Sequence, residues 1–127
     1  MNGMAEATIL ICDDEPHLRE LMRVSLDRDY EFAEAADTAE AIELAARVRP
    51  DLVLLDVMMP GGSGLAVIER LRETPELASV PVVVVSAFVT DGDRRAAHDA
   101  GADGFIGKPF DPDELASVVE ELLAANR

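Results

Sequence analysis

The chain has 127 residues, 49% of them hydrophobic and 29% charged, the size and apolar content of a single domain with one core. Its 26 acidic against 11 basic side chains give a formal charge of -15, which opposes a direct grip on nucleic acid or anionic lipid and favours cations and basic partners. No run reaches the roughly 18 apolar residues of a membrane span, and residues 1–7 lack the basic and long apolar regions of a secretory signal. The lone Cys12 can form neither an internal disulfide nor a thiolate zinc site, so the protein is expected to be cytoplasmic, reduced and free of the membrane.

In chain order, residues 1–6 read as a flexible N-terminus and the core as residues 7–124. Ala7–Cys12 is a short apolar run rich in β-branched residues, and Leu52–Leu55 and residues 82–85 repeat that type. Continuous apolar strands belong to parallel sheets covered on both faces. Between them, Leu18, Leu21, Met22 and Leu26 recur at helical spacing, followed by Ala41, Ile42, Ala45 and Val48. Asp37 with Glu40 forms a capping-box pattern, and Asp111, Pro112 and Glu114 open a last helix that buries Leu115, Val118, Val119 and Leu122. Residues 31–35 and Gly104–Gly107 complete the strands, and residues 64–72 and 94–100 the helices. The result is a (βα)5 alternation in one α/β domain over residues 1–127, a doubly wound, flavodoxin-like parallel sheet whose common strand order is 2-1-3-4-5.

In such sheets ligands bind beyond the carboxyl ends of the strands, where the order reverses. The first strand ends in Asp13, Asp14 and Glu15 and the third in Asp56, so the topology gathers carboxylates that repel one another unless a cation joins them. Mg²⁺, or Mn²⁺, suits Asp13, Asp14 and Asp56, because a hard cation takes a few carboxylates and leaves places for phosphate oxygens. Capping and the helix dipole are the plainer roles for these acids, most of all for Glu15. Ser86 ends the fourth strand with a hydroxyl that can donate to a phosphate oxygen. Lys108, the one lysine beside ten arginines, follows the fifth strand; its compact charge suits a phosphoryl oxygen or carboxylate in a tight site.

Asp13-Asp14, Asp56, Ser86, Phe105 and Lys108-Pro109, in this order and at these spacings, resemble the receiver domains of two-component response regulators, and the stretch LLDVMMPGGSG looks like that family's acceptor strand and loop. The resemblance covers about residues 7–124. It implies that Asp56 accepts a phosphoryl group from the phosphohistidine of a sensor histidine kinase or phosphotransfer protein. It further implies that Asp13 and Asp14 bind the metal with the backbone carbonyl of Met58, and that Lys108, before a cis Pro109, neutralises phosphoryl charge. Ser86 and Phe105 would be the switch pair. The fourth helix, fifth strand and fifth helix would present the changed surface to an effector, an output domain or a second copy, with no nucleic-acid contact by this domain.

Ser86 lacks the methyl of the threonine often found there, and Phe105 lacks a tyrosine's hydroxyl; Phe105 also has the plainer reading of a core aromatic. Met58 and Phe88 stand two residues beyond Asp56 and Ser86, and their apolar side chains predict slow self-dephosphorylation. His17 and His98 read as surface residues. Pro16, Leu18 and Leu21 lie where a kinase could dock, although Leu21 is expected to be core. Two other functions compete: a haloacid-dehalogenase-type phosphatase, whose pattern needs an acid where Met58 stands, and a flavin-binding module suggested by Gly61, Gly62 and Gly64.

Overall fold

The computed structural model describes residues 7–26 and 30–126, so the expected N-terminal tail lies outside the described residues. The apolar runs form strands β1 (Ala7–Cys12), β2 (Tyr30–Ala35), β3 (Leu52–Leu55), β4 (Val82–Ser86) and β5 (Gly104–Gly107). They alternate with helices α1 (Pro16–Ser25), α2 (Thr38–Val48), α3 (Leu65–Glu73), α4 (Asp91–Ala100) and α5 (Pro112–Ala125). Every strand pair is parallel and the order is β2-β1-β3-β4-β5, as the alternation predicts.

Period-two alternation divides the strand side chains between two cores. Leu10, Cys12, Val53, Leu55, Val82 and Val84 face α2, α3 and α4, whereas Ile9, Ile11, Leu52, Leu54, Val83 and Val85 face α1 and α5. Each strand residue so buried contributes about 1.5–3 kcal/mol, which is why β3 and β4 carry no polar residue before their tips.

Local signals set the helix ends. Asp37 Oδ1 accepts from Glu40 N at 2.8 Å, but the Glu40 carboxylate returns to Ala36 N at 2.7 Å, one residue earlier than the usual reciprocal bond. Asp111 caps α5 through Asp113 N. α4 starts three residues before the sequence expectation, because Thr90 and Asp93 form a complete capping box that carries Asp91 and Gly92 into the helix. A short 3-10 turn, Pro75–Leu77, was not anticipated. Leu21 is 41% exposed, against the expectation of core: Met22 and Leu26 take the sheet-facing side of α1. In α5 the fully buried row is Leu115, Val119 and Leu123, and Leu122 is only partly covered.

The segment from β3 to α3 is held at both ends, with Gly64 N donating to Val57 O at 3.0 Å and Thr38 N to Pro60 O at 3.1 Å. A methyl on Gly64 would run into the Val57 Cα and stand 3.0 Å from the Asp56 carbonyl oxygen. The obstacle is backbone and cannot rotate away. Gly64→Ala is therefore expected to lower the unfolding free energy in urea by about 1–3 kcal/mol, the usual cost of overpacking. A variant as stable as the parent would show that the loop can shift freely.

Candidate functional site

At the carboxyl edge of the sheet, β1 and β3 are neighbours, and Asp56 N donates to Cys12 O at 2.8 Å. That register sets Asp13 and Asp56 side by side just past the strand ends. Asp13 is 0% and Asp56 6% exposed, so two carboxylates share a nearly dry place. Lys108, carried in from β5, answers both: its Nζ lies 2.8 Å from Asp13 Oδ2 and 3.0 Å from Asp56 Oδ2. The second oxygen of each acid receives a backbone N–H, Glu15 N on Asp13 Oδ1 and Met58 N on Asp56 Oδ1, each at 2.9 Å. Glu15 stands at the N-cap of α1 without capping it through its side chain.

Burial by itself would lower the Lys108 pKa, but hydrogen bonds and charge from Asp13 and Asp56 outweigh it and hold the ammonium above its ordinary 10.5. Burial, and next the Asp13 charge, push the Cys12 thiol far up, so this cysteine is an inert core residue.

Asp14 is exposed and completes the cluster: ligand oxygens of Asp13, Asp14 and Asp56 lie within 4.8 Å of one another. One ammonium against three carboxylates leaves two formal negative charges, the complement of a divalent cation with oxygen ligands. The residues present therefore fit a metal of that kind.

Ser86 is fully buried at the tip of β4, and its Oγ accepts from Phe88 N at 3.1 Å. Lys108 N donates to Ser86 O at 2.8 Å, which places the lysine and the hydroxyl residue at adjoining strand ends. Met58 and Phe88, each tied by its amide to Asp56 or Ser86, hold their side chains 56% and 51% exposed. They form an apolar rim beside an acidic site. The Lys108–Pro109 bond is cis, as the resemblance implies.

Phe105 is partly buried against the α2–α3–α4 core, with the Arg94 guanidinium 4.7 Å from its ring centroid. Sequence reading missed Arg94, and also Arg19, whose Nη1 donates to the Asp13 carbonyl at 2.6 Å while Nε pairs with Glu34 at 2.8 Å. Neither arginine carries a spacing signal. His17 and His98 are exposed, as expected. Leu18 and Leu21 border a small apolar groove with Pro109, Phe110 and Pro112, beside the site.

Comparisons with known proteins agree with this geometry. Residues 9–120 match the model of the response regulator receiver domain. The chain is 40% identical over 124 residues to Response regulator Rre1 of Synechocystis sp., covering 95% of this chain and 54% of that protein. It is 36% identical over 121 residues to the phosphate regulon transcriptional regulatory protein PhoB of Pseudomonas aeruginosa, covering 94% and 53%. It also resembles the crystal structure of a LuxR-family two-component response regulator from Aurantimonas sp. SI85-9A1, with a TM-score of 0.86 and 31% identity, covering 95% of this chain and 87% of the other. This chain belongs to the response regulator receiver domain family, a family of signalling domains. It spans about half the length of the curated relatives it matches. Nothing in these matches supports the phosphatase alternative, and among the described residues no helix is long and apolar enough to cross a membrane.

Removing the Lys108 ammonium would leave Asp13 and Asp56 facing each other without compensation. Lys108→Met is expected to lower stability by about 3 kcal/mol in metal-free buffer, the scale of breaking a buried pair. Because the folded-state pKa of Lys108 is raised, its contribution is fully present below the ordinary lysine value and fades as pH rises through the higher folded value. Urea titrations of parent and variant should therefore differ by a constant amount from pH 7 to about pH 10 and converge only beyond. A gap that closes between pH 7 and 9 would place the stabilisation elsewhere.

Proposed function

We propose that this domain is the phosphoacceptor of a two-component signalling system in the cytoplasm, with Asp56 as the acceptor. The observation that carries the reading is the position of Asp56: a buried strand-end carboxylate held between the Met58 amide and the Lys108 ammonium, with Asp13 and Asp14 within ligand distance. In the reaction, an Asp56 carboxylate oxygen attacks phosphorus, the P–N bond of a phosphohistidine on a sensor kinase or phosphotransfer protein breaks, and an acyl phosphate forms. Such a transfer asks for positioning and charge stabilisation more than acid-base machinery.

Asp13, Asp14, Asp56 and the Met58 backbone carbonyl would hold Mg²⁺ or Mn²⁺, which when bound supplies positive charge for phosphoryl oxygens. The Lys108 ammonium offers its own charge to the same group. Ser86 Oγ now accepts a bond from Phe88 N, and its hydroxyl proton is available to a phosphoryl oxygen on rotation. Phe105, on the adjoining strand β5, would be its partner in the switch. The change would reach α4, β5 and α5, the face offered to an effector, an output domain or a second copy of the chain. The domain would act on itself alone, catalysing its own phosphorylation and dephosphorylation rather than turning over a substrate.

Incubation with acetyl phosphate and Mg²⁺, followed by intact mass, should show one added phosphoryl group per chain, and Asp56→Asn should abolish it. Multiple turnover of the donor without a stable adduct would favour a phosphatase, and an adduct that survives Asp56→Asn would move the acceptor elsewhere. The apolar rim makes a second expectation. Neither Met58 nor Phe88 can orient a water, so the double variant Met58→Asn, Phe88→Gln should shorten the phosphoryl half-life about tenfold. An unchanged half-life would remove these side chains from the hydrolysis step.

A further inference from the structure

Among the described residues, sulfur is distributed very unevenly with respect to solvent. Cys12, Met22 and Met59 are 0%, 1% and 5% exposed, whereas Met58 is 56% exposed. It borders an open groove of about 540 Å³ with Asp14, Met59, Pro60 and Leu65, so a small solute reaches its sulfur without any movement of the fold. The same residue donates its amide to Asp56 Oδ1 at 2.9 Å, which fixes its backbone against the proposed phosphoacceptor. An accessible side chain and a backbone held against Asp56 therefore belong to one residue.

We propose that Met58 is an oxidation site, and that its conversion to the sulfoxide by an oxidant of the peroxide class shortens the lifetime of a phosphoryl group on Asp56. The inference rests on the phosphoacceptor reading of Asp56. In the step, a sulfur lone pair attacks one oxygen of hydrogen peroxide, the O–O bond breaks, and the departing hydroxide takes the proton of the transferred oxygen and leaves as water; sulfur loses two electrons and the peroxide gains them. An apolar, flexible side chain becomes a polar one with a strong hydrogen-bond acceptor. The reduced Met58 side chain gives a water beside Asp56 at most a weak thioether acceptor, whereas a sulfoxide oxygen can hold one there. The thiol of Cys12 offers no competing route, because the residue is 0% exposed and out of reach of a solute. The device is reversible in principle, since sulfoxide reductases act on both epimers.

The test uses the full chain treated with hydrogen peroxide, freed of oxidant, and mapped by peptide mass to locate the added oxygen. The protein is then loaded with acetyl phosphate and Mg²⁺ and the decay of the adduct followed by intact mass. Oxidised protein should lose phosphoryl about tenfold faster than untreated protein, and methionine sulfoxide reductases should restore the slow decay. Met58→Leu keeps the backbone carbonyl and an apolar side chain but has no sulfur, so it should lose the response to peroxide. Three results would overturn the proposal: Met58 still reduced when Met1 and Met4 are oxidised, an oxidised protein with an equal or longer half-life, or a Met58→Leu chain that responds as the parent does. If untreated protein takes up no phosphoryl group, the acceptor reading has failed before peroxide is added, and this inference falls with it.

Discussion

The Lys108 ammonium, bridging Asp13 and Asp56 at 2.8 and 3.0 Å, is the interaction on which the functional edge of this domain depends. Two carboxylates on adjacent strands, both nearly dry, would repel each other strongly in such surroundings. The lysine makes their burial tolerable, yet it leaves the pair one charge short of neutral, and the deficit reaches two once Asp14 is counted. That deficit is useful chemistry. A site balanced by protein charge alone would have little call for a divalent cation, whereas one short by two charges suits a metal and, on the receiver reading, would receive through it and the lysine the oxygens of a phosphoryl group.

The fold supplies the convergence. Parallel strands point all their carboxyl ends to one edge, and the order β2-β1-β3-β4-β5 makes β1 and β3 neighbours at the reversal. Strand-end residues that lie far apart in sequence therefore meet without any loop having to fold over the site. Asp13, Asp56, Ser86 and Lys108 each follow or end a strand, and backbone bonds from Asp56 N to Cys12 O and from Lys108 N to Ser86 O lock the tips in register.

This is also why so much was legible in the sequence. Apolar runs announce buried strands, and a polar residue that interrupts one at its carboxyl end is conspicuous. The readings that went astray depend on how helices dock. Leu21 and Met22 are adjacent and both suit a helical stripe, but a small rotation of α1 decides which meets the sheet, and Met22 with Leu26 won. The start of α4 was set too late because Asp-Gly-Asp looks like a turn, although Thr90 and Asp93 already held the capping signal. Arg19 and Arg94 were invisible for a different reason: their contacts to the site are through a backbone carbonyl and a ring face, and the Glu34 partner of Arg19 lies on strand β2, none of which residue spacing encodes.

The docking of α4 has a further consequence for signalling. α5 commits Leu115, Val119 and Leu123 to the core, but α4 fully buries only Ala97. At about 25 cal/mol per Å² of apolar surface, so small an apolar face holds the helix weakly. Two other contacts compensate, and they sit at different places. Arg72 donates through Nη2 to Gly101 O at 2.7 Å and pins the C-terminal end, whereas Arg94 over Phe105 holds the middle through a contact worth about 1 kcal/mol. The N-terminal end caps itself through Thr90 and Asp93, so the helix can persist as a rod without support from the sheet there. A rod fixed at one end, with its free end two residues beyond Phe88 and its middle resting on Phe105, is an element that a modest rearrangement at Ser86 can tilt. On the receiver reading, the charge added at Asp56 needs to overcome only those contacts and the small apolar face around Ala97, and leaves the strand side chains in place.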